Sequence, residues 1–194
     1  YQNFSEAELE ELSRKAIDVL DEEALLRVAA KSDDPARKAE LYKVAVKKVG
    51  SDRANFNLAV LALNEGKIDD AAKYLGAVKD ADADVVNAKG VCELRKGNYD
   101  AAVKLFKQSG TTEAKANLGT VSLLEGKYSE AASELAGTGS HNTAVAYILA
   151  GQLDKASAAI TCNCPRSNYL RAIIAARKGN ASDVAKYLEI AKKN

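Results

Sequence analysis

The chain has 194 residues, of which 47% are hydrophobic, and only two prolines, which is enough apolar material to bury one continuous core. Its 28 basic and 27 acidic residues give a formal net charge of +1 and alternate in sign, which argues against the basic stripe that a nucleic-acid-binding surface requires. The longest apolar run, near residues 144–150, is far shorter than the roughly 20 residues of a transmembrane helix.

The first element is a predicted helix over about residues 5–19. Ser5 followed by Glu8 is a capping box, in which each residue's side chain satisfies a backbone N–H of the other. Alanine, leucine, lysine and glutamate dominate the whole sequence, and no alternation of polar and apolar residues persists as it does in strands. We therefore expect an all-α chain.

A first helical hairpin is predicted over residues 22–31 and 35–49. Asp34 and Pro35 provide an N-cap and then a proline at the first helical position, and Gly50 ends the second helix. The bend between these two helices has no glycine, so this hairpin is a degenerate copy of the units that follow.

One glycine motif then recurs through the rest of the chain. A large side chain stands two residues after the glycine in the four clearest copies, and a small one stands five residues after it, with a weaker fifth copy at the end. The motif glycines are Gly66, Gly97, Gly126, Gly151 and Gly179. Glycine adopts positive φ without steric cost, so each one predicts the end of a helix and a reversal of the chain.

Two further positions complete the motif. Seven residues before each glycine stands a small residue: Ala59, Gly90, Gly119, Ala144 and Ala172. Nine residues after it stands a large apolar one: Leu75, Phe106, Leu135, Ile160 and Leu188. The small residue permits two antiparallel helices to approach closely, and the small residue five places after the glycine shares a helix face with the large one. The motif therefore predicts a series of tightly packed hairpins.

This unit resembles the tetratricopeptide repeat (TPR), a helix–turn–helix unit with a period of about 34 residues. The resemblance covers roughly residues 21–193. It implies a right-handed superhelix of about six hairpins with an extra N-terminal helix, in one domain over residues 1–194. The parts of that domain are a leading helix (1–20), the degenerate hairpin (21–50) and five hairpins (51–194).

The repeats are shorter than the family period. The steps between glycines are 31 residues (66 to 97), 29 (97 to 126), 25 (126 to 151) and 28 (151 to 179). We expect the missing residues to come from the second helix of each hairpin and from the link to the next. The superhelix should then be irregular near residues 136–142.

The resemblance also implies a groove lined by the first helix of each hairpin, which such proteins use to hold peptides or partner domains. In the family the groove residues stand thirteen, ten, six, three and two places before the turn glycine. Carried over to this chain, the offsets select five positions in each of five repeats, several of which are apolar and expected to pack against the next hairpin. The candidate exposed contacts that remain are Phe56, Asn64, Asn87, Arg95, His141, Tyr169 and Arg177. Tyrosine and arginine are enriched at interface hot spots, so the predicted function is a module that binds a protein or peptide. The alternative is that these residues only keep a structural spacer soluble.

Cysteine and histidine give little support to a catalytic or metal site. Cys92 lies between apolar positions of a helix and is expected to be a buried, inert thiol. Cys162 and Cys164 could form only a strained disulfide, and with His141 as the sole histidine they fall short of the four ligands that zinc requires. His141 itself is expected to have a surface or capping role. No catalytic motif is present, so the sequence predicts a protein that is not an enzyme, with no catalytic residue, cofactor or metal.

A narrower resemblance concerns cellular location. Residues 117–126 (NLGTVSLLEG) and 168–177 (NYLRAIIAAR), separated by the short repeat, are similar to the repeat segments of OmpA-family envelope proteins of Gram-negative bacteria. The stretch 23–42 is similar to what precedes those segments. The resemblance implies a periplasmic or outer-membrane-associated piece of a larger protein. The chain begins at Tyr1 and contains no methionine, which is expected of a processed form or an excised domain. A cytoplasmic adaptor is the alternative.

Overall fold

A computed structural model describes residues 3–193 of the chain. This part contains thirteen α-helices, one short 3-10 helix at Ile17–Val19 and no strand, which confirms the all-α prediction. In chain order the helices are α1 (Glu6–Lys15), α2 (Glu22–Lys31), α3 (Pro35–Val49), α4 (Asp52–Asn64), α5 (Ile68–Gly76), α6 (Ala83–Arg95), α7 (Tyr99–Ser109), α8 (Thr112–Leu124), α9 (Tyr128–Leu135), α10 (His141–Leu149), α11 (Leu153–Ala158), α12 (Pro165–Arg177) and α13 (Ala181–Lys193).

The helices belong to two compact units, Tyr1–Leu105 and Phe106–Asn194. In the first unit α1 packs on α2. Helices α2 and α3 form one hairpin, and helices α4 and α5 form another. In the second unit the hairpins are α8 with α9, α10 with α11 and α12 with α13. Each unit is therefore a series of helical hairpins, with buried apolar residues between consecutive helices. The assignment of residues 1–194 to a single domain stays a prediction.

The N-terminal capping box is present, but the helix that it opens is shorter than predicted. The Ser5 backbone N–H donates to the Glu8 carboxylate at 2.7 Å, and the Glu8 N–H donates to the Ser5 hydroxyl at 3.3 Å. Helix α1 ends at Lys15 rather than near residue 19, because Ala16 leaves the helical conformation with φ −152°. The 3-10 turn that follows allows Leu20 to be fully buried.

The signals of the degenerate hairpin are confirmed. The Asp34 carboxylate accepts a hydrogen bond from the Ala36 N–H at 2.9 Å, Pro35 is the first residue of α3, and Gly50 ends that helix with φ 66°. The next helix, α4, is capped by the Ser51 hydroxyl, which accepts from the Ala54 N–H at 3.0 Å.

All five motif glycines have the predicted left-handed conformation, with φ between 74° and 81°. At each turn the residue after the glycine donates its N–H to a carbonyl five residues earlier; Lys67, for example, donates to Ala62 at 2.8 Å. This bond is typical of the Schellman motif, in which a glycine just past the helix satisfies carbonyls that the helix leaves unpaired.

The close approach of two helices predicted at the small residue is present at Gly119. A Cβ atom placed on Gly119 would lie 2.3 Å from Cγ of Leu135, and Leu135 is the large residue nine places after Gly126. Both residues are buried. Helices α8 and α9 thus approach so closely at this point that only a hydrogen fits between them.

The shortest repeat loses residues differently from our prediction. Between Gly126 and Gly151 the second helix, α9, has 8 residues against 11 in α7, as expected. The link before α10 is residues 136–140 and is longer than the preceding link, residues 110–111. The remaining loss falls on the first helix of the next hairpin, since α10 has 9 residues against 13 in α8. The predicted irregularity near residues 136–142 is this extended link.

The close contact predicts the effect of a single methyl group on stability. Gly119→Ala gains up to about 1 kcal/mol in helix propensity but forces Leu135 or the helix backbone to move, which costs about 1 to 3 kcal/mol. We expect a net loss in the free energy of urea unfolding of about 1 to 2 kcal/mol. Gly76→Ala is the matched control, because Gly76 is also helical and has no atom within 4 Å of an added Cβ. Equal stability of the two variants would contradict the assigned contact.

Candidate functional site

The groove residues predicted in the first unit have mixed environments. Phe56 is half-buried and packs against a core cluster, so most of its ring belongs to the core. Asn64 is exposed at the last position of α4, and Asn87 is half-buried in α6. A cavity of about 530 Å³ in this unit lies along α3, α4 and α5 and is lined by none of the predicted residues.

Arg95 contacts the preceding hairpin. Its guanidinium Nη1 donates to the Leu63 carbonyl at 2.7 Å, at the end of helix α4. The next residue, Lys96, lies 3.5 Å from the Asp69 carboxylate at the start of α5. A positive charge at the C-terminus of a helix interacts favourably with the unpaired carbonyls and with the helix dipole. These two residues therefore join consecutive hairpins in the first unit.

The same pair of contacts recurs in the second unit at identical positions of the repeat. Arg177 Nη1 donates to the Ile148 carbonyl at 2.7 Å, and the Lys178 ammonium lies 2.7 Å from the Asp154 carboxylate. The hydrogen bond from Lys178 lowers the pKa of Asp154. Both predicted groove arginines thus have a structural role between hairpins.

An apolar depression of about 370 Å³ lies between α10 and α12 in the second unit. Its lining includes two of the predicted contacts, Tyr169 and Arg177. The other lining residues are Val145, Ile148, Leu149, Arg166, Leu170 and Ile173. All of these except Leu170 stand at the groove offsets taken from the family. Tyr169 is 55% exposed and Leu149 is 39% exposed, so two exposed large side chains border one apolar depression.

His141 lies in a different environment from the one predicted. It is the first residue of α10 and half-buried, and its Nε2 atom lies 3.2 Å from Sγ of Cys164 and 3.4 Å from Sγ of Cys162. The Ser167 hydroxyl is 3.1 Å from the same nitrogen. We call these four residues, His141, Cys162, Cys164 and Ser167, the His–Cys cluster.

The backbone on both sides of the cysteines is held by side chains of α12. Arg171 Nη2 donates to the Cys162 carbonyl at 3.0 Å, and the amide of Asn168 donates to the Cys164 carbonyl at 3.2 Å. The same amide donates to the side chain of Asn163, between the cysteines, at 2.9 Å. Asn168 is almost fully buried. These bonds fix the link 159–164 on the start of α12.

The two kinds of thiol differ in acidity. Hydrogen bonding with the Ser167 side chain, and next with Cys162, lowers the pKa of Cys164 to about 6. Burial raises the pKa of Cys92, which packs in the core of the first unit as predicted. Cys164 is therefore the thiol that carries negative charge near neutral pH, when it is reactive towards electrophiles and able to ligate a cation.

From the sequence, a functional His–Cys group is not expected, because two cysteines and one histidine fall short of four ligands. The fold places the N-terminus of α10 beside the N-terminus of α12, and so brings His141 to the cysteines and adds Ser167 as a fourth polar group. The close C-x-C spacing and the only histidine were visible in the sequence, but the third partner, Ser167, carried no signal.

Comparisons with known proteins agree with the hairpin architecture. No protein-family model matches the sequence, and no curated protein matches it. Among solved structures, a tetratricopeptide repeat protein from Parabacteroides merdae superposes with a TM-score of 0.73 at 16% identity, over 97% of this chain and 84% of that one. This chain has the tetratricopeptide-repeat fold.

Two further TPR-fold neighbours are functionally described. YrrB, a TPR protein with an unusual peptide-binding site, has a TM-score of 0.54 at 14% identity, over 96% of this chain and 92% of its own. PilW, a widely conserved type IV pilus biogenesis factor, has a TM-score of 0.57 at 17% identity, with coverages of 93% and 80%. None of the helices between residues 3 and 193 combines the length and the apolar character that crossing a bilayer demands.

The contact between Arg177 and Ile148 predicts a stability effect. Arg177→Ala removes a charged hydrogen bond to the end of α10, and we expect the free energy of unfolding, measured in urea, to fall by about 1 kcal/mol. Lys192→Ala is the control, since the Lys192 side chain is 74% exposed and its ammonium lies 3.9 Å from the Glu189 carboxylate. An equal effect of the two substitutions would show that Arg177 contributes no more than a surface charge.

The lowered pKa of Cys164 predicts selective alkylation. In protein kept reduced and treated with a chelator, iodoacetamide labelling of Cys164 should rise through a midpoint near pH 6 and level off above pH 7, because only the thiolate reacts. Cys92 should remain unlabelled until the protein unfolds. Peptide mass spectrometry reads each site. Ser167→Ala should move the Cys164 midpoint upward, and an unchanged midpoint in that variant would exclude Ser167 as the cause.

Proposed function

We propose that the chain is a non-enzymatic protein–protein interaction module and that the depression between α10 and α12 binds a peptide or a segment of a partner domain. The observation that carries this proposal is the pair of exposed apolar side chains, Leu149 and Tyr169, on the border of an apolar cavity. Aromatic side chains in such positions are common binding hot spots. The TPR fold supports the proposal, because stacked helical hairpins provide extended binding surfaces.

The charges around the depression suggest the chemistry of the bound segment. Arg166 and Arg177 line the cavity together with the apolar side chains of Val145, Ile173 and Leu149. Arginine pairs favourably with carboxylates, so the segment that fits presents an apolar side chain next to an acidic residue. The other predicted contacts, Phe56, Asn64, Asn87 and Arg95 in the first unit and His141 in the second, are outside this cavity.

Selection of peptides tests the proposal directly. The purified chain is used to select from a phage-displayed random peptide library, and the enriched peptides are synthesised and their Kd is measured by fluorescence polarisation. We expect peptides with an apolar residue beside Asp or Glu. Leu149→Gln and Tyr169→Ala should each weaken binding by about tenfold or more, a loss of about 1.4 kcal/mol.

Leu124→Gln is the matched control. Leu124 stands two residues before Gly126, as Leu149 stands two residues before Gly151, and it is 59% exposed but outside the depression. The Leu124→Gln substitution should leave the Kd of the selected peptides unchanged. Failure to enrich any peptide, or equal binding by the variants and the control, would overturn the proposal.

The envelope location is the less supported part of the function. We infer a periplasmic or outer-membrane-associated role from the OmpA-like segments, and the pilus-biogenesis role of the neighbour PilW is consistent with an envelope setting. A signal peptide and a peptidoglycan-binding domain in the full-length gene would support this role. Their absence would favour a cytoplasmic adaptor.

A structural spacer is the alternative function. The contacts of Arg95 and Arg177 favour it, because these two predicted groove residues use their guanidinium groups to join consecutive hairpins. For a spacer, Leu149→Gln and Tyr169→Ala are silent in the full-length protein, whereas deletion of a whole hairpin impairs its function.

A further inference from the structure

We propose that the His–Cys cluster is a zinc site in which His141, Cys162 and Cys164 are the ligands and Ser167 occupies the fourth position. The site is independent of the peptide-binding depression.

Four potential ligand atoms of the cluster lie at nearly equal mutual distances. The His141 Nε2 atom lies 3.4 Å from Sγ of Cys162, 3.2 Å from Sγ of Cys164 and 3.1 Å from Oγ of Ser167. The two sulfurs are 3.1 Å apart, and the Ser167 oxygen lies 2.9 Å from Sγ of Cys162 and 3.3 Å from Sγ of Cys164. Six nearly equal separations describe a tetrahedron. Tetrahedral coordination is the geometry that Zn²⁺ adopts in most protein sites.

The size of the tetrahedron is close to that of a zinc site. Its centre is about 1.9 Å from each donor, compared with about 2.0 Å for a zinc–nitrogen bond and about 2.3 Å for a zinc–sulfur bond. The sulfurs need to move outward by only a few tenths of an ångström. Cys162 is exposed and Cys164 is half-exposed, so both have room for this movement.

The ligand types select the class of metal. Thiolate and imidazole are soft or borderline ligands that favour Zn²⁺ over Mg²⁺ and Ca²⁺, which prefer carboxylate, carbonyl and water oxygens. Two thiolates balance the charge of one divalent cation, which suits a half-buried group. A neutral serine hydroxyl is the weakest of the four donors, so we expect the fourth position to be held by Ser167 or by a water bound to it.

The surroundings are those of a preorganised site. Arg171 and Asn168 fix the carbonyls of both cysteines, and Ser167 is fully buried in the first turn of α12. His141 is placed by the start of α10, where the Ser140 hydroxyl accepts from the Asn142 N–H at 3.1 Å. Such outer contacts hold ligands in position and strengthen metal binding. A bound zinc ion would connect the N-terminus of α10 to the link before α12.

Metal uptake by the full chain tests the proposal. The protein is reduced, stripped with a chelator and desalted without oxygen, then titrated with Zn²⁺ by calorimetry and, separately, with Co²⁺ by absorption spectroscopy. We expect one ion per chain and, for cobalt, the visible bands of a tetrahedral site together with sulfur-to-cobalt charge transfer. Zinc should also raise the melting temperature of the protein.

Variants identify the ligands. Cys162→Ser, Cys164→Ser and His141→Gln should each lower zinc affinity by at least about tenfold, and Ser167→Ala should have a smaller effect. Cys92→Ala is the control and should bind like the wild type, because Cys92 is buried in the other unit. Circular dichroism checks the folding of each variant, and the cobalt spectrum of the wild type tests sulfur ligation even where a variant does not fold.

Two outcomes overturn the proposal. One is the absence of stoichiometric binding, or binding that persists unchanged in the His141 and cysteine variants. The other outcome is that Cys162 and Cys164 are a redox pair that forms a disulfide. In that case the reduced protein takes up no metal, and exposure of the Cys92→Ala variant to O₂ removes two thiols in a thiol assay. That oxidation transfers two electrons and two protons from the thiols to oxygen, which leaves as hydrogen peroxide.

Discussion

The close approach of two helices at each hairpin is the constraint on which the other features depend. At Gly119 the helices α8 and α9 leave no space for a methyl group, and the approach is possible only because Gly126 reverses the chain in the left-handed conformation. The turn fixes where the first helix ends, and so determines which carbonyls lie at that end. These carbonyls accept from the following hairpin as well as from the turn: the Leu63 carbonyl accepts from both the Gly66 N–H and Arg95. Local backbone conformation at one residue thus sets the register of contacts between repeats.

This register explains why one position of the repeat has two uses. Two residues before the turn glycine, Arg95 and Arg177 reach back to a carbonyl of the preceding hairpin. At the equivalent positions Leu124 and Leu149 stand instead and remain exposed. A leucine there cannot donate to a carbonyl, but it adds apolar surface to the groove side of the first helix. At Leu149 that surface lines a cavity with Tyr169. The same position therefore joins hairpins where it is arginine and adds apolar surface where it is leucine, and Leu149 and Arg177 both line the depression.

The glycine motif was sufficient to predict the local structure, because each of its positions acts within one hairpin. It located the five turns and the close helix approach at Gly119, and the capping signals located the starts of α1 and α3. Two of the seven groove candidates, Tyr169 and Arg177, line the depression, and their selection came from the family resemblance rather than from the motif. The contacts of the two arginines depend on how consecutive hairpins pack, and no pattern within one repeat reports that. The loss of four residues from α10, compared with α8, was equally invisible, since a shorter step does not say which element is shortened.

The short repeat and the His–Cys cluster have a common physical basis. In a repeat protein each hairpin contacts only its neighbours, so a hairpin with little buried surface weakens the array at that point. Helices α10 and α11, with 9 and 6 residues, form the shortest of the hairpins described between residues 3 and 193. The residues that α10 has lost are at its N-terminus, and His141 now stands at that end, beside the cysteines of the following link. Ligation at this point supplies a few strong, directional bonds at the hairpin with the fewest helical residues. A bound metal ion would thus add cross-links where the helices themselves offer the shortest packing surface.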